Sequence, residues 1–92
     1  MIVRISGQGQ YRFPDEHEER LNELDNRAVA AVEAGDEPGF KQLWEQMLAL
    51  VEGEGQPLAD DELVESAVIL PPRDISFEEA QGEFSGEGLI PN

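Results

Sequence analysis

The sequence predicts a small α+β domain over residues 1–92, with an N-terminal β-hairpin, a central antiparallel αα-hairpin, a further short strand and a short C-terminal helix. Three observations lead there. Two β-prone runs flank a glycine-containing turn at the start. Two apolar stripes of helical period then fill the middle, with a helix break at Ala34-Gly35-Asp36 between them, and the remainder returns to strand-like and capped-helix patterns.

In the first segment, residues 1–13, Ile2-Val-Arg-Ile5 and Gln10-Tyr-Arg-Phe13 read as the strands of a hairpin closed by Ser6-Gly-Gln-Gly9. Its glycines tolerate the positive φ of a tight turn. Alternation puts Val3 with Ile5, and Tyr11 with Phe13, on an inner face and leaves Arg4 and Arg12 on the other. A lone hairpin is marginal in water, so this one needs further strands or a helical layer.

A first helix is expected over residues 15–34. Asp15 is the expected N-cap, Glu18 the returning partner of a capping box, and Leu21, Leu24, Ala28, Ala31 and Val32 the apolar stripe. Gly35 suits the left-handed position that closes it. Asp36 then caps a second helix over residues 37–53, whose stripe is Phe40, Leu43, Trp44, Met47, Leu48 and Val51. So short a connection makes the two helices antiparallel.

Residues 58–92 are less regular. Leu58-Ala-Asp-Asp-Glu62 reads as a turn, Leu63-Val64 and Ala67-Val-Ile-Leu70 as β-prone runs, and Pro71-Pro72 as a stop. Ser76-Phe-Glu-Glu79 is a capping-box pattern opening a helix to about Phe84, and Leu89-Ile90 a last docked apolar contact.

Charge narrows the partners. Twenty-one acids against six bases give a net charge of −15. Residues 1–14 hold two arginines and no acid, residues 15–54 twelve acids and three bases, and residues 55–92 nine acids and one base. Such a surface repels phosphates and anionic lipid, so no nucleic acid and no direct membrane insertion is expected. No apolar run approaches the ~20 residues of a membrane span. The start lacks the charged and apolar regions of a signal peptide, and a cytoplasmic location is expected.

Catalytic patterns are scarce. Without cysteine there is no disulfide, thiolate metal site or thiol nucleophile. The lone histidine, His17, sits among Glu16, Glu18 and Glu19 in an expected exposed turn, where successive side chains diverge and hold no metal in common. Ser6-Gly-Gln-Gly9 lacks the Gly-Lys-Ser/Thr ending of a phosphate loop, and Asp60-Asp61-Glu62 lacks the alternating oxygens of a calcium loop. No enzymatic activity and no cofactor or metal is expected.

An interaction role follows instead. The second helix's stripe is wide, and Leu50 broadens it. The candidate protein-binding residues are Trp44, Met47 and Leu50, as apolar anchors, with Glu37, Glu45 and Glu52 as flanking acids. An alternative is an acidic nucleic-acid mimic that occupies the basic groove of a DNA-binding protein, against which Arg4 and Arg12 weigh.

Several pieces, in order, carry a family likeness: Met1-Ile-Val-Arg-Ile-Ser-Gly-Gln-Gly-Gln-Tyr-Arg12, Ala34-Gly-Asp36, Gly55-Gln-Pro-Leu-Ala-Asp-Asp-Glu-Leu-Val64, Leu70-Pro-Pro72 and Gly86-Glu-Gly-Leu-Ile-Pro91. Together they resemble the PspA-associated protein family, PspAA, over nearly the whole chain. The resemblance implies a non-enzymatic accessory of the envelope-stress (phage-shock) system. Its partner would be a PspA-like membrane-stress protein, through which it would sit peripherally at the inner membrane face. It assigns no functional residue, and the oligomeric state stays open.

Overall fold

The structure is a computed structural model that describes residues 1–59, 64–84 and 88–90. In chain order the elements are β1 (Ile2–Ile5), β2 (Gly9–Arg12), a 3-10 turn (Asp15–His17), α1 (Glu18–Glu33), α2 (Glu37–Glu54), β3 (Gln56–Pro57), β4 (Val68–Leu70) and α3 (Phe77–Glu83).

The four strands form one sheet in the order β3-β2-β1-β4. β1 pairs antiparallel with β2, Val3 opposite Tyr11 and Arg4 opposite Gln10, as the hairpin pattern requires. On its other side β1 pairs in parallel with β4, Arg4 opposite Ile69. Val3, Ile5, Val68 and Leu70 are buried on the inner face, while Arg4, Arg12 and Ile69 are exposed. The sheet is therefore half-solvated, and one core joins its inner face to the helices.

The αα-hairpin forms as its stripes predict. Leu21, Leu24, Ala28, Ala31 and Val32 of α1 meet Phe40, Trp44, Met47, Leu48 and Val51 of α2 in that core. Gly35, at φ +72°, turns the chain left-handed between them, and the Asp36 carboxylate accepts the Gly39 N–H at 3.0 Å. α3 docks on α2 through aromatic edges, with Phe84 5.1 Å from Phe40 and 5.6 Å from Trp44 between ring centroids.

Several local expectations are corrected. Asp15 does not cap α1: Pro14 starts a 3-10 turn, α1 begins only at Glu18, and no side chain caps it. The Asp15 carboxylate lies 3.2 Å from the Met1 nitrogen instead. The second strand is shifted one residue toward the turn, and α2 runs on to Glu54. Val64 is not in a strand, whereas Gln56–Pro57, for which the sequence predicts no strand, add a two-residue edge strand beside β2. Leu63 and the acids 60–62 lie outside the described residues.

The C-terminal helix meets its expectation closely. Ser76 Oγ accepts the Glu79 N–H at 3.1 Å, and the Glu79 carboxylate returns to the Ser76 N–H. Ser76→Ala is expected to cost about 0.5–2 kcal/mol, the usual range for a lost cap. Chemical denaturation would measure it, and a change below about 0.3 kcal/mol, in the range of an ordinary surface substitution, would mean that aromatic packing alone fixes α3.

Candidate functional site

The N-terminal half of α2 and the segment 73–77 enclose an open cleft of about 520 Å³. Phe40, Trp44 and Phe77 form its floor, and Glu37, Glu45 and Asp74 stand on its rim. The Trp44 indole N–H donates to the Arg73 carbonyl at 3.2 Å, which fixes the ring against the segment that closes the cleft. The ring is only 3% exposed, so it shapes the floor from beneath.

Arg73 ties this region together. Its Nη1 lies 3.3 Å from Glu45 Oε2, its Nη2 bonds Glu52, and its Nε donates to Gln8 Oε1 at 3.3 Å. Gln8 in turn donates to Glu52 Oε2 at 3.2 Å. One guanidinium thus links the hairpin turn, α2 and the loop before α3. Lys41 pairs with Glu37 at 3.0 Å, one turn along the helix. All three candidate acids therefore already face a base of this chain. Exposed pairs contribute about 0–1 kcal/mol each, so their main effect is to order the rim.

The six candidate residues divide. Glu37, Trp44 and Glu45 come together at the cleft, and Glu52 joins them through Arg73. Met47 is fully buried, and the apolar area expected around it and Trp44 is taken up by core packing. Leu50 is half-buried on another face, in the groove between α1 and α2 beside Leu24 and Ala49. His17 is also half-buried rather than exposed, with Nε2 3.2 Å from Glu54 Oε2, so it bridges the 3-10 turn to the end of α2. Among the described residues no group of three or more histidines or acids is placed to hold a metal.

One polar residue escaped the sequence reading. Asp25, on α1, is fully buried. Its carboxylate accepts the Leu89 N–H at 3.1 Å and the Ile90 N–H at 3.0 Å. Gly88 permits the approach: its φ is +83°, and a Cβ there would lie 2.5 Å from Asp25 Oδ2. Burial pushes the Asp25 pKa up, and the two amides partly offset that rise. A signal was present, since position 25 lies on the stripe of Leu21, Ala28 and Val32. An acid on a buried helical face needs a partner.

Over residues 1–92 the chain matches the family described as PspA-associated protein. No curated protein and no solved structure matches it.

Proposed function

The chain belongs to the PspA-associated protein family, and from that premise we propose that it is a non-enzymatic adaptor that regulates a PspA-like protein by direct contact. The whole-chain family match is the observation that carries this reading. The contact surface is the acid-rimmed cleft of α2, with Glu37, Glu45 and Glu52 at its edge, Trp44 and Phe77 as its floor and Leu50 as an outlying apolar contact. Met47 supports the surface from the core. The adaptor acts at the cytoplasmic face of the membrane, through its partner. Among the described residues no helix is long and apolar enough to cross a membrane. Exposed Arg4 and Arg12 on the outer sheet face interrupt the uniform acidity that a nucleic-acid mimic needs.

Binding to a purified PspA-like protein, followed by interferometry, tests the proposal. Rising salt is expected to slow association, because at ~0.15 M charges act over only about 8 Å. Glu45→Lys with Glu52→Lys is expected to weaken binding. Adding Arg73→Glu restores the internal pairs while keeping the outward charge reversed. Weak binding in that triple variant therefore reports partner contact and not local unfolding. Affinity unchanged by salt and by both variants would overturn the electrostatic contact.

A further inference from the structure

β4 is an edge strand, and it has been left open. The Ser6 N–H donates to the Leu70 carbonyl at 3.0 Å, so Leu70 turns its backbone groups toward β1. Alternation along the strand then directs the Ile69 N–H and C=O to the far edge. No described residue pairs with that edge. The Ile69 side chain is 61% exposed, the one large hydrophobic among the described residues so placed.

A cleft of about 350 Å³ lies beside the same strand, away from the α2 cleft. Met1, Ala67, Val68 and Ile90 line it together with Glu18, Glu19 and Asn22 of α1, and the Met1 ammonium is already held by the Phe13 carbonyl and Asp15. Neither glutamate has a cation within ion-pairing distance among the described residues. The Asn22 Oδ1 is buried and accepts no hydrogen bond among the described residues. A buried acceptor without a donor costs free energy, and a donor brought by a ligand would remove that cost.

We propose that β4 and this cleft receive an extended segment of a partner protein, added as a fifth strand, with a Lys or Arg side chain entering the cleft. The main chain of the segment pairs with the Ile69 N–H and C=O. In strand addition such bonds supply affinity, while pockets for alternate side chains supply specificity. The aliphatic stem of the basic residue lies along Val68 and Ile90. Its charged head meets Glu18 and Glu19 and donates to Asn22 Oδ1. Charge complementarity selects this occupant: an acidic segment would meet two unpaired glutamates.

The probe is a capped peptide of about six residues, a common strand length, alternating valine or threonine with lysine. Its counterpart carries glutamate at the lysine positions, and a third version is N-methylated along its pairing edge. On titration into the isotope-labelled protein, the lysine peptide is expected to shift the amide resonances of residues 67–70 and the Asn22 side-chain amide. Ile69→Pro removes the edge donor at an exposed position and is expected to weaken binding at least about tenfold, as is N-methylation of the peptide. Ile69→Thr keeps the backbone and is expected to retain binding. Glu18→Lys with Glu19→Lys is expected to weaken the lysine peptide and to admit the glutamate one. The N-methylated peptide leaves the protein intact, so it decides the matter even if Ile69→Pro fails to fold. Equal binding of the lysine and glutamate peptides, full affinity for the N-methylated one, or no shift at residues 67–70 would overturn the proposal. Concentration-dependent shifts at those residues without peptide would also overturn it, in favour of pairing between copies of this chain.

Discussion

Leu48→Ala is expected to lower the unfolding free energy by about 2–5 kcal/mol, the range for removing a buried leucine and leaving a cavity. Leu48 is fully buried, in the core where the α1 and α2 stripes meet the inner sheet face. That core draws its side chains from both helices and the sheet, so closing the void takes the movement of more than one element. Small domains hold only about 5–15 kcal/mol in total, and this loss is a large share of it. Urea denaturation would show a lower midpoint at an unchanged slope. A loss below about 1 kcal/mol would mean that α1 and α2 collapse onto the gap, contrary to a tightly packed core.

Asp25→Ala is expected to have the next largest effect. It leaves the buried Ile90 amide and the half-buried Leu89 amide without their acceptor; an unsatisfied buried donor costs about 1–3 kcal/mol, and the Leu89 amide, which water can reach, costs less. Removing a buried carboxylate recovers part of that loss, so the net effect is smaller than the sum. Fast hydrogen exchange at Leu89 and Ile90, with the αα-hairpin still protected, is the expected signature. Exchange no faster than in the parent chain would show that the C-terminal segment is held by Ile90 packing alone.

The pH dependence of the same residue has a definite sign. Burial raises the Asp25 pKa in the folded chain above its unfolded value, so the folded state binds that proton more tightly. This group's contribution to stability therefore falls as pH rises from the ordinary carboxylate range through the raised pKa, and stays low above it. Asp25→Asn does not titrate there. Measured as a difference, the parent chain is expected to lose stability relative to Asp25→Asn across that window.

The elements legible in the sequence are those whose causes are local. α2 shows its stripe, its Asp36 cap and its glycine-rich ending within one stretch of chain, and the Ser76–Glu79 capping box is complete in four residues. Arg4 and Arg12 share the outer face, as alternation along the two hairpin strands requires. At Asp15 two local signals competed, and Pro14, which fixes its own φ and opens the 3-10 turn, prevailed over the capping pattern.

What stayed hidden depends on distant partners. β3 is two residues long, and one of them is a proline, so only its pairing with Tyr11 and Arg12 makes it a strand. The role of Arg73 needs Gln8, Glu45 and Glu52, brought together from three parts of the chain. A wide stripe does not say how much of Phe40 and Trp44 α3 will cover. Phe77 and Phe84 supply that cover, and their contacts with Phe40 and Trp44 exist only in the folded molecule.

The parallel pairing of β1 with β4 also sets an order of events during synthesis. β1 leaves the ribosome well ahead of β4, yet β4, residues 68–70, is one of its two neighbours. Closing so long a loop carries an entropic cost that local pairing avoids, and contacts of this range slow folding. At about 5–20 residues per second, the nascent chain presents one side of β1 unpaired for several seconds. During that interval the α1–α2 hairpin, built from near neighbours, can already form and cover Val3 and Ile5 from the inner face. The helical hairpin thus covers the inner face of the sheet while it is incomplete, and the β1–β4 pairing is the last link of the sheet to close.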